Sequence, residues 1–478
     1  MTRELTMAGT PQTRTSIPIL VALATATMAA SLGVSIASVL LPTLTQTFSA
    51  TVTDVQWTVL IYLMAMTIAI VPAGRLGDLY GHRRVLLSGL FVFVVASMLC
   101  AVAPDLSLLV AGRALQGLGG AILIALPMSM ARDLVPAERL GAAMGMFGTM
   151  SALGTALGPA LGGLLLAWGD WRMAFWLIAG LGTLAFSLTV IAIPRSSMRM
   201  APSLRELDLL GTFVLVFALA AYALATSGGA FGLPVHTGVL IAATVVGIVL
   251  FVIVEFRVSS PLVPMRLLSG RKTGTGLAMN MLVATLMMST LVVGPFFLAF
   301  SLDLNEASIG LVLAVGPAVA ALSGIPAGRL TDRIGANRAL PIGLMQVMLG
   351  VLCLAFLPRH FGVAGYIAAL FLLTPAFQLF FAANSTIILV DAGKEQRGRL
   401  SGLLGLSRNL GLMTGASVMP TVFVMFLGTG DVSVVATEDV AHAFSMTFVI
   451  AAGLAMVAIS LAIYSGAGRP QDAPTAAE

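Results

Sequence analysis

Two arginines lie inside long apolar stretches of the chain, where charged side chains are rare. Arg113 interrupts the stretch 107–131, and Gln116 follows three residues later, on the same face of a helix. Arg408 interrupts the stretch 399–427. A guanidinium stays charged and binds anions through five N–H donors. A charge inside a span usually faces the interior of a helix bundle or a wet cavity. The alternatives are that Arg113 extends to the polar rim, and that Arg408 does so or packs against backbone carbonyls.

A polar stretch between apolar runs occurs twice, as Gly-Arg-Leu-Gly-Asp-Leu-Tyr-Gly-His-Arg-Arg at 74–84 and as Gly-Arg-Leu-Thr-Asp-Arg-Ile-Gly-Ala-Asn-Arg at 328–338. A single copy would be interpreted as a solvated turn. In two copies, the first glycines would allow close helix approach, the last glycines would take positive φ, and the aspartates would face helix amino termini or guanidinium groups. Such a cluster can hold one conformation closed. We name its members the latch residues: Gly74, Asp78, Gly81, Arg83, Arg84, Gly328, Asp332, Arg333, Gly335 and Arg338.

A third group is a set of small residues at helical spacing. Glycines and a proline make one face of the run 141–167, and the spacing alone would suit plain helix packing. The second half of the chain keeps two of these glycines, as Gly411 and Gly415, but has Ala416 in place of the proline. The set consists of Gly154, Gly158, Pro159, Gly162 and Gly163.

The composition places these residues in a membrane. Hydrophobic residues make up 58% of the 478 residues and charged residues 9%, with a mean hydropathy of +1.02. The apolar runs are too long and too evenly apolar for a barrel, so the prediction is an all-α polytopic membrane protein. Fourteen runs are long enough to cross a bilayer: 17–41, 55–73, 85–103, 107–131, 141–167, 172–193, 209–226, 237–256, 275–300, 308–327, 339–357, 363–390, 399–427 and 441–464.

The charge pattern orients these runs. With a cytoplasmic amino terminus, most of the 25 basic residues fall on the cytoplasmic side, and only Arg172 and Arg359 fall in outer loops. Both termini are therefore expected in the cytoplasm, and the net charge of +5 does not indicate nucleic acid. The first run is too long for a cleaved signal. Two cysteines inside different runs and four dispersed histidines predict no metal site, no cofactor and no enzyme activity.

The repeated stretches divide the chain into two similar halves. Runs 1–6 correspond to runs 9–14, while runs 7 and 8 have no counterpart and are interpreted as an inserted hairpin. Parallel repeats imply an axis along the membrane normal and a cavity between two bundles. The predicted organisation is a cytoplasmic tail at 1–16, a six-helix bundle at 17–193, a linker with two inserted helices at 194–272, a second six-helix bundle at 273–464 and a cytoplasmic tail at 465–478.

Several motifs resemble those of the major facilitator superfamily. The stretch at 74–84 resembles its signature loop between spans 2 and 3, Arg-Ala-Leu-Gln-Gly at 113–117 its span-4 signature, and the glycines at 154–163 the span-5 signature of its antiporters. Segments 254–264 and 407–411 resemble the fourteen-span drug:proton antiporter family. The resemblance implies the major facilitator fold and proton-coupled efflux by a monomer in the cytoplasmic (inner) membrane of a bacterium, with the latch closing the cytoplasmic side. It also implies proton or substrate coupling at Arg113, Gln116 and Arg408.

One departure from that family bears on the substrate. The family usually has an aspartate where this chain has Gly33, and no acidic residue falls in the middle of a run; Asp208 and Glu255 lie at ends. A lipophilic cation would favour an embedded carboxylate, so anionic, weak-acid or neutral small molecules are expected. The proton would then pass through Asp133 or Asp78, or travel with the substrate. Gly33, Tyr62, Gln378, Asn384 and Asn409 could line the cavity, although interhelical hydrogen bonds would equally explain the polar members of this set.

Two other functions remain as alternatives, an uptake carrier and a sensor or scaffold, whereas a third is disfavoured. A primary pump lacks support because neither Lys272 nor Lys394 lies in a nucleotide-binding loop. An uptake permease or uniporter for a small organic anion would have the same fold, and only the Gly158–Pro159 ending argues against it. A sensor or scaffold would be favoured by an added soluble domain.

Overall fold

The computed structural model describes residues 16–134, 137–194, 208–226, 236–258, 270–390 and 394–466, and the regular structure in these ranges is entirely helical. A short 3-10 turn spans Val432–Val434. The α-helices are α1 (Ser16–Phe48), α2 (Val52–Val55), α3 (Trp57–Tyr80), α4 (His82–Ala101), α5 (Leu106–Leu134), α6 (Ala137–Trp168), α7 (Arg172–Ala192), α8 (Leu209–Thr226), α9 (Thr237–Arg257), α10 (Arg271–Phe300), α11 (Glu306–Ile334), α12 (Ala336–Val390), α13 (Lys394–Leu427) and α14 (Thr437–Ser465).

Within the described ranges, twelve helices are long and apolar enough to cross a membrane. Their apolar residues surround the whole helix, as expected where one side faces lipid and the other faces neighbouring helices. Successive long helices run in alternating directions. We call the end of the bundle where α1 begins and α14 ends the terminal end, and the opposite end the distal end.

Helix α12 is 55 residues long and contains a break. Gly362 has φ 55° and ψ −134°, a conformation that residues with a Cβ rarely adopt. Beyond the break the chain turns back on itself: a Cβ on Gly343 would lie 3.0 Å from the backbone of Phe380, and one on Gly350 would lie 2.8 Å from that of Leu373. The segments before and after Gly362 are therefore two antiparallel helices.

The internal repeat is visible in the packing. Helix α1 packs along α6 in the first half of the chain, and α10 packs along α13 in the second. Both pairs use a hydroxyl against a glycine carbonyl: Ser35 Oγ donates to Gly154 O at 3.3 Å, and Thr285 Oγ1 donates to Gly411 O at 3.1 Å. Corresponding positions of the two sequences thus make corresponding contacts.

The two halves meet at the distal end. A Cβ on Gly310 of α11 would lie 2.7 Å from Cα of Gly163 on α6, so these backbones touch. Nearby, Val52 N donates to Gly430 O at 3.1 Å, which joins the short helix α2 to the segment before α14. Helices α1 and α10, and α3 and α13, also pack against each other.

Helices α8 and α9 form a hairpin beside α13. Tyr222 Oη donates to Thr414 Oγ1 at 2.9 Å, Thr421 Oγ1 donates to Thr226 O at 2.8 Å, and the hydroxyls of Thr226 and Ser417 bond to each other. On the other side of the hairpin, α9 exposes Val, Ile and Leu side chains. This pattern suits a helix whose outer face contacts lipid.

Candidate functional site

Arg113 lies in the distal part of α5, within the first half of the chain. Its side chain is fully buried, so it does not reach a polar rim. The Nε group donates to Thr58 O of α3 at 2.7 Å, and one terminal nitrogen donates to Gly33 O of α1 at 2.9 Å and to Gln116 Oε1. Gln116 in turn donates to Ser97 Oγ of α4 at 2.7 Å. One guanidinium therefore connects four helices through a continuous polar network.

The positive charge of Arg113 has no acidic partner among the described residues. Its guanidinium carbon lies 4.2 Å from the centre of the Tyr62 ring, and its second terminal nitrogen has no hydrogen-bond acceptor in the described ranges. Tyr62 is buried too, and its hydroxyl donates to Ala30 O of α1 at 3.0 Å. This is an interhelical hydrogen bond, the alternative to lining the cavity for this residue. Backbone carbonyls and an aromatic face compensate this charge only in part.

Gly33 lies where a carboxylate would meet this network. A Cβ there would be 3.3 Å from Tyr62 Oη and 3.5 Å from the Phe93 ring, so a side chain would enter a tight space beside the guanidinium. Gly33 is buried in this structure.

The latch residues occupy the turns between α3 and α4 and between α11 and α12. Gly81 has φ 92° and Gly335 has φ 83°, which confirms that these glycines adopt positive φ. Arg83 donates from Nε to Ile193 O at 2.7 Å and from a terminal nitrogen to Val190 O at 3.2 Å. The first turn is thereby attached to the end of α7.

Other latch residues are positioned differently from the expectation. A Cβ on Gly74 or on Gly328 would meet nothing within 4 Å, so the close helix approach predicted at these two glycines is not found among the residues that the structure describes. Arg84, Arg333 and Arg338 are exposed, as is Asp332, which forms no ion pair with any side chain that the structure describes. Asp78 lies in the last turn of α3, and its side chain is outside the described part, as is that of Asp133.

The glycines of α6 divide between two neighbours. A Cβ would lie 2.5 Å from Met28 O at Gly154, 2.8 Å from Ile36 N at Gly158 and 2.5 Å from Val39 at Gly162, so this face packs tightly on α1. Gly163 points instead to α11, as does the carbonyl of Pro159, which lies 2.5 Å from a Cβ position on Gly310. The small residues of α6 therefore serve two contacts: one with α1 in the same half, and one with α11 in the other half.

In the second half, Arg408 of α13 is exposed, and its guanidinium carbon lies 4.9 Å from the centre of the Phe381 ring. Nearby polar side chains join helices: Asn280 donates to Ser407 Oγ at 2.7 Å, and Asn384 donates to Gly276 O at 3.0 Å. Asn409 is buried on α13, and Gln378 is half-buried on α12. Asn384 thus makes an interhelical bond, the alternative to lining a cavity.

Two participants were not identified from the sequence. Ser97 extends the Arg113 network to α4, and Phe381 lies under Arg408. Ser97 is one of two serines in the apolar run 85–103, and it is the one nearer the middle of the run. Nothing distinguishes Phe381 among 24 phenylalanines.

Several known proteins are similar to this chain in sequence or in fold. A profile of the Major Facilitator Superfamily matches residues 23–264 and 276–478. The chain is 29% identical to the uncharacterized transporter YebQ of Escherichia coli (strain K12), over 83% of this chain and 86% of that protein. It is also 29% identical to the multidrug resistance protein Stp of Mycobacterium tuberculosis (strain CDC 1551 / Oshkosh), over 82% of this chain and 73% of that protein. A bacterial homolog of the human lysosomal transporter Spinster, in an inward-facing and unoccupied conformation, has a similar fold (TM-score 0.68, 14% identity, 95% of this chain and 98% of that chain).

Proposed function

Because the chain belongs to the Major Facilitator Superfamily, we propose that it is a secondary active efflux transporter that exchanges protons for small lipophilic compounds. Anionic, weak-acid or neutral compounds are favoured over cations. The observation that carries this preference is the charge inside the bundle: Arg113 and Arg408 lie within spans, and no described acidic residue lies in the middle of one. The similar protein Stp is named for multidrug resistance, which is in line with the removal of small compounds from the cell.

The proposed topology has fourteen spans. It counts the two antiparallel segments of α12 separately and includes the shorter apolar helix α8. Residues 17–193 and 273–464 then form two six-helix bundles, and 194–272 carries the inserted hairpin. The terminal end faces the cytoplasm in this proposal, in accord with the basic residues there. The protein acts as a monomer in a bacterial inner membrane.

Alternating access would follow from the contact between halves. In this structure the distal end is closed by the Gly163–Gly310 contact and by the Val52–Gly430 hydrogen bond. At the terminal end, a Cβ on Gly402 or Gly405 of α13 would meet nothing within 4 Å among the described residues. These features support an inward-facing state, from which the cavity would open to the other side when the distal contacts separate.

Arg113 would couple substrate and proton without carrying the proton, since an arginine does not lose its charge in a protein. Its field would instead favour an anion, or a deprotonated group, in the proposed cavity between the two bundles. The proton would pass through Asp78 or Asp133 at the terminal end, or enter with a weak-acid substrate.

Transport in everted membrane vesicles tests the direction. With an inside-acid pH gradient, the proposed exporter accumulates a weak-acid or neutral substrate in these vesicles and releases protons as it does so. An uptake permease or uniporter would instead deplete or merely equilibrate the compound. Vesicles from cells without the protein provide the baseline.

Asp78→Asn is expected to abolish this transport while folded protein remains in the membrane. The substitution removes the charge that the latch would use against helix amino termini or guanidinium groups and keeps the shape of the side chain. Vesicle transport and the amount of monodisperse purified protein measure the two effects. Near-normal transport by Asp78→Asn would reject the latch.

Gly33→Asp is expected to improve the handling of lipophilic cations. The new carboxylate would lie beside the Arg113 guanidinium and Tyr62 and would supply the embedded acid that the chain lacks. Resistance of cells to a lipophilic cation, compared with cells carrying Gly33→Asn, measures the gain. An equal resistance for both variants would remove the support for this interpretation of Gly33.

A further inference from the structure

Arg408 faces the interior of the protein rather than lipid. Leu412 and Met419 lie four and eleven residues farther along α13, on the same face of the helix, and both are buried. Arg408 itself is exposed, and a Cβ on the half-buried Gly405, nearer the terminal end, would meet nothing within 4 Å among the described residues. One face of α13 is therefore enclosed in its distal part and uncovered in its terminal part. A guanidinium exposed on that face lies in a space that opens at the terminal end.

The hydrogen-bonding capacity of Arg408 is unused. Its guanidinium donates to no acceptor and pairs with no carboxylate within the described ranges, and the Phe381 ring at 4.9 Å is its one aromatic contact there. Stacking on a ring orients the planar group and leaves its edge, with the N–H donors, free. The position therefore has an oriented cationic edge next to an apolar wall.

Arg113 and Arg408 differ in how accessible their guanidinium groups are to a ligand. Arg113 is fully enclosed and donates to Thr58 O, Gly33 O and Gln116, so a ligand would have to displace bonds within the bundle to reach it. Arg408 needs no such displacement. Of the two cations inside the spans, Arg408 is the one accessible to a solute.

We propose that Arg408 and Phe381 form a substrate subsite for aromatic carboxylates. Two parallel N–H···O bonds from the guanidinium edge would hold the carboxylate, and the Phe381 ring and neighbouring apolar side chains would contact the aromatic body. This inference rests on the proposed efflux of lipophilic anions and names their class. It also separates recognition, at Arg408, from coupling, at Arg113.

Binding of three probes to the purified full-length protein tests the subsite. The probes are 2-naphthoate, its neutral analogue 2-naphthamide, and octanoate, which is acidic but not aromatic; isothermal titration calorimetry in detergent gives their affinities. The unmodified protein is expected to bind 2-naphthoate most tightly. Arg408→Met should weaken the binding of 2-naphthoate by about 10- to 100-fold, because this probe uses charge-assisted hydrogen bonds. The same substitution should change the binding of 2-naphthamide little. Phe381→Leu should weaken both aromatic probes and leave octanoate unchanged.

Two further variants guard against a folding effect. Arg408→Lys keeps the charge without the planar fork and should bind 2-naphthoate with intermediate affinity. Arg359→Met removes an exposed arginine at the distal end and should bind like the unmodified protein. Equal 2-naphthoate affinity in Arg408→Met and the unmodified protein, or no measurable binding to the unmodified protein, overturns the subsite. Persistent 2-naphthamide binding shows that Arg408→Met is folded.

The vesicle assay separates this inference from the proposed efflux. If the vesicles accumulate neutral compounds and the affinity for 2-naphthoate is the same with and without Arg408, the subsite is wrong and the proposed efflux stands. If 2-naphthoate binds through Arg408 and no compound is moved against its gradient, the subsite stands and efflux is wrong.

Discussion

Arg113→Met is expected to leave the protein folded and at least as stable to heat as the unmodified chain, while transport falls about 5- to 150-fold. The stability expectation follows from the surroundings of the guanidinium. It is fully buried without an acidic partner, and one of its terminal nitrogens has no acceptor among the described residues. A buried charge without an ionic partner is costly, so an apolar side chain of similar length removes that cost and leaves no opposite charge unpaired.

The transport expectation follows from what methionine cannot do. It would lose the bonds to Thr58 O, Gly33 O and Gln116, and with them the polar connection between α1, α3 and α5. Thermal unfolding of the purified protein and transport in everted vesicles measure the two effects, with Arg359→Met as a surface control. A variant that unfolds and loses activity together would assign Arg113 a structural role. A stable variant with full transport would remove it from the coupling mechanism.

The sequence predicted the elements that depend on local backbone conformation and on the repeat. Gly81 and Gly335 adopt positive φ because a sharp turn between two helices needs a residue without Cβ, and the motif places a glycine there in both halves. Gln116 bonds Arg113 because residues three apart share a helix face. The break at Gly362 separates two runs that the hydropathy had already separated. These features need no knowledge of the neighbouring helices.

Features that depend on neighbouring helices could not be predicted. Arg113 and Arg408 both interrupt an apolar run in the sequence. In the structure the Arg113 side chain is buried among backbone carbonyls and that of Arg408 is exposed beside Phe381, because tertiary packing decides what surrounds each side chain. Gly74 and Gly328 were expected at a close helix contact, but whether such a contact forms depends on which side of the transporter is closed. Gly163 contacts the opposite half although Gly162 beside it contacts α1, because adjacent residues point about 100° apart on a helix.

Gly310→Ala is expected to abolish most transport by opening the distal end. A Cβ at this position would lie 2.5 Å from Pro159 O and 2.7 Å from Cα of Gly163, and these are backbone atoms that no side-chain rotation can move. Overpacking of this kind costs about 1–3 kcal/mol. This cost applies only to the state in which the distal end is closed. It would therefore shift the equilibrium about 5- to 150-fold toward the state in which the two halves are apart at this end.

Gly324→Ala is the matched control, because it makes the same change on the same helix at a glycine where a Cβ would meet nothing within 4 Å. Vesicle transport should be near normal for Gly324→Ala and strongly reduced for Gly310→Ala.

A distal cross-link reports the conformation directly. A Cβ on Gly430 would lie 3.1 Å from that of Thr51, close to the roughly 3.5–4.5 Å found in disulfides, so Thr51→Cys with Gly430→Cys should cross-link when Cys100 and Cys353 are replaced by alanine. In that background Gly310→Ala should lower the cross-linking yield and Gly324→Ala should not. Equal yields together with equal transport would show that the contact between α6 and α11 does not hold the distal end closed. A lower yield with normal transport would show that closure there is not required for the transport cycle.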